Sequence, residues 1–338
     1  VYFDHIPRAT KGVPLKSAKL TVLITAILVS TFIQASAGSP GATMEPFDGR
    51  FAAPLTNGPL PAAGESLNVD LLDRWAKGPC VAVDAVGTSV VSGNGSRLEV
   101  IDFSAPATPV VLGHVDLPAA INQIHIVGDF AYIANSREGL RIVDISDPAN
   151  PYEFGAVDTP GTATSVDVDG GYAYVGERLD GSVRVIDISD QANPVEIGAF
   201  DTVDNVWGVA VQDTLVLAAH GWAGLLILSV KNPAAPVEVG VYDTPGTAYG
   251  IDVVGTTAYV ADGSSGLRVI DITTPSNPSE LGSTLSPFAY RVTVVGTKAY
   301  LAPAASSFQI IDVSTPATPF VVGSFPVNGI QKDVAVSG

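Results

Sequence analysis

The chain has 338 residues, 46% of them hydrophobic and 15% charged, with a formal net charge of −17. Charge of that sign repels nucleic acid and anionic membrane surfaces, so no nucleic-acid partner is expected. A single cysteine, Cys80, excludes a disulfide within the chain and any paired-cysteine metal site.

At the N-terminus, Lys16 and Lys19 precede an apolar run at 20–33, LTVLITAILVSTFI, which is followed by ASA at 35–37. Basic residues, a short apolar core and an A-x-A site predict a secretory signal peptide, so residues 1–37 are read as an N-terminal extension and signal. The run is short for a bilayer crossing, and no integral membrane span is expected after cleavage. The expected location is secreted, periplasmic or cell surface. Residues 38–66 are rich in Pro, Gly and Ala and read as a linker.

From residue 67 to 338 the chain repeats itself. The phrase GLRIVDISDPANP at 139–151 returns as GLRVIDITTPSNP at 266–278. Six copies are anchored at Asp102, Asp144, Asp187, Ser229, Asp271 and Asp312, with spacings of 42, 43, 42, 42 and 41 residues. That period suits four-stranded propeller blades and some helical solenoids. The repeats are rich in Val, Ile, Thr and Tyr punctuated by Gly and Pro, which selects strands. The fifth copy divides into strands at 249–255, 256–262, 266–272 and 279–285. Between the last two lies TTPSNP, where proline belongs because it cannot donate to a sheet ladder. Four short antiparallel strands, repeated radially, predict an all-β propeller.

The ends add two fragments. LLDRW at 71–75 matches a fourth strand with its exit loop, and IQKDVAVSG at 330–338 matches a first strand. They are predicted to be the outer and inner strands of one shared seventh blade. Its two middle strands are expected to be missing, with more chain due beyond Gly338.

The segments LRIVDIS (140–146), VRVIDIS (183–189) and LRVIDIT (267–273) resemble the LVIVD-repeat family of bacterial and archaeal extracytoplasmic propellers. The accompanying AYVAD and NPVEIG segments fit the same resemblance, which covers about 67 to the C-terminus. It implies a propeller and no common activity, since that family shares blades and no catalytic set. The fourth copy departs from the pattern, with Ser229 in place of Asp and Leu226 in place of Arg.

Residues present in every copy serve the blade. The recurring Asp and the Asn-Pro pairs at 150–151, 193–194 and 277–278 are therefore read as structural. Residues present once mark function. In a propeller the loops from strand two to three and from strand four to the next strand one share a face, and here they vary. Trp75, Trp207 and Trp222 fall on that face, with His220, Tyr249, Tyr290 and Arg291. These seven are the candidate ligand-binding residues. The alternative is that the rings plug the channel or pack between blades.

No catalytic motif is present, and no catalytic residue, metal or cofactor is expected. DVDGG at 167–171 resembles a fragment of a calcium loop but lacks the remaining ligand positions. His125 alternates within a first strand and reads as a core residue. The function expected is an extracytoplasmic binding or interaction module whose variable face takes a protein or carbohydrate ligand. A hydrolase or lyase with its site at the channel mouth is the alternative. The oligomeric state is left open.

Overall fold

The computed structural model describes residues 2–5, 20–27, 69–73, 80–105, 108–286, 288–303, 306–327 and 330–337. Every regular element among them is a strand. Each of the six repeats forms one antiparallel sheet with its strands in chain order. These are blades 1 to 6, and their first strands are Cys80–Val86, Gln123–Val127, Thr162–Asp169, Gly208–Gln212, Gly250–Val254 and Ala289–Val295. The first strands surround a central channel. Blade 5 continues through Thr257–Ala261, Leu267–Asp271 and Ser279–Thr284, each within about one residue of expectation. Gly255, at φ +59°, makes the tight turn between its first two strands; in blade 4 Asp213 makes the same turn at φ 55°.

The second and third strands of a blade are buried on both faces, which is why they read as nearly unbroken apolar runs, whereas the fourth strands are half exposed. Leu217 and Ile227 of blade 4 pack in one cluster with Ala258, Val260 and Ile270 of blade 5. The recurring Asp is structural, as expected. Asp102, Asp144, Asp187, Asp271 and Asp312 each accept the N–H of the residue two positions on, at 2.7 to 2.9 Å. The Asn150 and Asn193 side chains donate to Asp147 and Asp190 at 2.9 Å within the Pro turns.

A seventh sheet joins the two ends of the chain. Its strand order is Ile330–Ser337, Leu20–Ile27, Tyr2–His5, Val69–Asp73. The inner and outer strands come from opposite ends, as the repeat arithmetic predicts. The two middle places differ from expectation, because strands from the N-terminal segment take them. Leu20–Ile27 pairs antiparallel with Ile330–Ser337, and Tyr2–His5 pairs with Leu20–Ile27 and Val69–Asp73. The physical reason is ambiguity in the run LTVLITAI, whose β-branched, apolar composition suits a blade strand as well as a signal core. The A-x-A site at 35–37, the linker at 38–66 and Trp75 lie outside the described residues.

Candidate functional site at the channel mouth

The channel encloses a cavity of about 310 Å³. Its wall is stapled by four carboxylates, Asp333 buried and the other three half-buried. Asp84, Asp167, Asp252 and Asp333 each accept one N–H from the next residue on their own strand. Each also accepts one from a neighbouring blade: Ile126, Val211, Val294 and Val83, at 2.6 to 3.1 Å. Burial pushes all four above the ordinary carboxylate range, Asp252 and Asp333 to about 6. Asp167 therefore binds two amides where its DVDGG segment suggested a calcium loop. His125, expected in the core, lines the channel instead, its Nε2 3.4 Å from Asp167 Oδ1. The side-chain period of two could not say whether that strand's inner face meets protein or channel.

Three residues before each staple position lies the channel's rim. In blades 2 and 3 the rim residues are small and polar. Asn122 donates through Nδ2 to Ala163 O at 2.7 Å, and the Thr164 hydroxyl donates to Val206 O at 2.6 Å. In blades 4, 5 and 6 the same position holds Trp207, Tyr249 and Tyr290. Trp207 meets Tyr249 edge-on with centroids 5.3 Å apart, and Tyr249 stacks on Tyr290 at 5.1 Å. Phe288 joins at 5.5 Å from Tyr249. The Arg178 guanidinium carbon sits 5.1 Å from the Trp207 ring centre.

Beneath this row runs Arg291. Gly250 and Gly208 follow Tyr249 and Trp207, and their missing side chains leave its path open. A Cβ on Gly250 would lie 3.3 Å from Arg291 Cδ, and one on Gly208 would lie 3.4 Å from Arg291 Nη1. Arg291 thus reaches from blade 6 past blade 5 to blade 4. It is 8% exposed and forms an ion pair with Asp333 at 3.8 Å, and its Nε has no hydrogen-bond partner.

The outer part of the same face has its own repeated device. Asn135, Glu177, His220 and Asp262 end the second strands of blades 2 to 5. Each accepts an N–H from the residue sixteen positions upstream, namely Ala119, Gly161, Asp204 and Gly246, at 2.9 to 3.1 Å. His220 is therefore buried in the scaffold, and burial lowers its pKa so that Nε2 stays a free acceptor. The structure sets it under the loop that carries Trp222. The Leu226 departure of copy four follows from this device. Glu177 pairs with Arg184 at 2.8 Å and Asp262 with Arg268 at 3.5 Å, whereas blade 4 holds neutral His220 with Leu226.

Asp204 and Asn205 organise an exposed apolar group. Asp204 Oδ2 accepts the Trp222 N–H at 2.8 Å, and Asn205 Oδ1 accepts the Leu179 N–H at 2.9 Å. Val203, Leu285, Trp222 and Leu179 are 92, 80, 77 and 68% exposed, the four most exposed large apolar side chains among the described residues. All four lie on the variable face. Leu179 sits at φ +79°, a left-handed conformation a branched side chain adopts at a cost. The structure thus brings Trp207, Tyr249, Tyr290 and Arg291 together and leaves Trp222 outside that row. Sequence reasoning missed Arg178, Leu179, Val203, Leu285 and Phe288. A signal existed for Leu179, because GERLDG carries an apolar residue where ANSREG and ADGSSG have none.

A family model described as the LVIVD repeat matches residues 121–159, 160–202, 205–244, 245–286 and 288–327, which correspond to blades 2 to 6. Blade 1 and the seventh sheet lie outside those matches. No curated protein matches. Among solved structures, a Lactobacillus plantarum protein superposes with a TM-score of 0.68 at 13% identity, over 80% of this chain and 91% of that one. A putative 6-phosphogluconolactonase from Bacteroides fragilis gives 0.65 at 13%, over 80% and 89%. A functionally unknown protein from Desulfotomaculum acetoxidans gives 0.61 at 14%, over 69% and 77%. Likeness at this identity is a likeness of fold alone.

Proposed function

The chain belongs to the LVIVD-repeat family, and on that footing we propose that it is an extracytoplasmic docking module whose variable face binds a protein partner. The observation that carries this reading is the placement of the most exposed apolar side chains. Leu179, Val203 and Trp222 are held around the hydrogen-bonded Asp204–Asn205 segment, beside the aromatic row at the channel mouth. Exposed apolar surface held in place by hydrogen bonds lowers the ordering cost of association, and Trp, Tyr and Arg are the usual anchors of interfaces. Exposed Leu and Val favour a polypeptide over a carbohydrate, whose hydroxyls gain nothing from aliphatic contact.

A displayed random-peptide library selected on the immobilised protein tests this. Binders are expected to lose roughly 30-fold in affinity on Trp222→Ala, about 2 kcal/mol, with an unchanged melting temperature. Binders indifferent to both Trp222→Ala and Trp207→Ala would refute it. Export has a separate test. The N-terminal sequence of the mature protein is expected to begin near Gly38, which would remove Leu20–Ile27 and Tyr2–His5 from the seventh sheet. An intact N-terminus on cell-associated protein would instead keep those strands in the blade and overturn the signal assignment.

A further inference from the structure

We propose that Arg178 and Arg291 form a carboxylate subsite at the channel mouth, which receives an acidic group of the docked polypeptide beside an apolar side chain. The inference rests on the docking reading and adds the chemistry of its central contact.

The repeats separate these two arginines from the others. Arg141, Arg184 and Arg268 occupy one recurrent position on the third strand, and each faces carboxylates of its own blade: Glu138, Glu153 and Asp158; Glu177, Glu196 and Asp201; Asp262 and Glu280. Arg178 and Arg291 occur once each and are left short of partners. Arg178 forms no ion pair among the described residues, and its Nε is buried without a hydrogen-bond partner. Arg291 is more than nine-tenths buried and also has an unpartnered Nε, a trait Arg141 and Arg268 share, but where those two face several carboxylates its one ion pair among the described residues is to Asp333, at 3.8 Å. Unpaired buried guanidinium donors are costly, so a site that keeps them gains by acquiring an acceptor.

The two side chains approach the same Trp207–Gly208 segment. Arg178 lies over Trp207, and Arg291 Nη1 reaches the adjoining Gly208. Both charges also bear on the Tyr290 hydroxyl. Among the described residues one carboxylate, Asp333, lies within ion-pair range of the two guanidiniums, in a molecule whose net charge is −17. That balance matches one carboxylate and disfavours a polyanion. Trp207, Tyr249 and Phe288 border the spot and supply the wall for a neighbouring apolar side chain. A carboxylate on a polypeptide has two sources, the C-terminus or an Asp or Glu side chain.

The experiment uses the purified chain and synthetic peptides taken from the library selection, each made in three forms: free acid, C-terminal amide, and internal Asp/Glu changed to Asn/Gln. Neutralising one of the two carboxylate sources is expected to weaken binding about 10-fold or more, and which one does so identifies the source. Arg178→Gln is expected to cost as much, and on that variant the neutral and acidic peptides should bind alike. Arg178 is partly buried, so the melting temperature of Arg178→Gln is followed as well; Arg291→Lys, followed in the same way, gives a second reading that keeps the charge but loses the fork. Peptides that need Trp222 but bind equally with and without acidic groups would overturn the carboxylate subsite and leave the docking reading standing. Failure of every peptide, with binding of uronic-acid oligosaccharides instead, would overturn both.

Discussion

Glu177 is wholly buried and holds three donors: the Gly161 N–H, the Ser182 hydroxyl and Arg184 Nε. Removing it strands all three, and breaking a buried pair from one side typically costs about 3 kcal/mol or more. Glu177→Ala is therefore expected to lower the unfolding free energy by about that amount in urea denaturation. The double change Glu177→His with Arg184→Leu copies what blade 4 already does with His220 and Leu226, and it should recover part of the loss. A double variant no more stable than Glu177→Ala would refute the idea that blade 4 compensates internally. At this scale the sequence was half legible. Leu226 was visible as a departure, but His220, at the matching second-strand position, looked like a ligand contact because the sixteen-residue link between second strand and loop is a contact in space. Burial pushes the Cys80 thiol up to about 12, which keeps it in the unreactive protonated form at neutral pH.

The blades are locked together through glycines of their fourth strands. Each fourth strand bulges where it meets the third, as between Ile227 and Leu228 of blade 4, whose partners are Gly240 and Glu238. A Cβ on Gly240 would collide with the carbonyl oxygen of Pro275, in the Pro turn of blade 5, and Gly155 stands in the same relation to Gln191 of blade 3. Glycine is required there because backbone packs directly on backbone. Gly240→Ala is expected to destabilise the fold by about 3 kcal/mol, the upper end for overpacking, measured by thermal unfolding, while Gly95→Ala, whose Cβ would meet nothing, should cost only its positive φ, about 1 kcal/mol. Equal losses at the two sites would count against the packing role. Strands and Pro turns were legible at this scale because period, composition and proline chemistry act locally. The bulge was not, because the clashing carbonyl belongs to the next repeat.

Across the whole molecule, the channel carboxylates set a pH dependence. Asp252 and Asp333 titrate near 6 in the folded chain, above the ordinary value of 3.8, because burial disfavours their charge. A raised folded pKa means the native state holds protons that the unfolded chain has released, so stability falls as pH rises from about 4 through about 6. Asp144, Asp187, Asp271 and Asp312 are shifted the other way by their turn hydrogen bonds and salt contacts, and their contribution is lost as pH falls below about 4. The melting temperature is therefore expected to peak near pH 4.5 and decline towards pH 7. Asp252→Asn should flatten the upper limb. Relief of the general negative charge would act in the same direction, and an unflattened limb in that variant would assign the effect to net charge instead of the channel.

The sequence by itself determined the architecture: six repeats of four strands, their turns, the structural Asp, and a seventh sheet begun and ended by opposite termini. Those features follow from local preferences repeated at a constant period, and repetition averages out local ambiguity. Tertiary structure decided which single-copy residues meet. Closing the ring set Trp207, Tyr249 and Tyr290 side by side, drew Arg291 across two glycines towards Arg178, and turned His125 to the channel and His220 into the scaffold. It also placed Leu20–Ile27 in a sheet, where an apolar run had suggested only a signal. Each of these depends on distances between repeats some forty residues apart, and a one-dimensional pattern holds no record of such distances until the ring is closed.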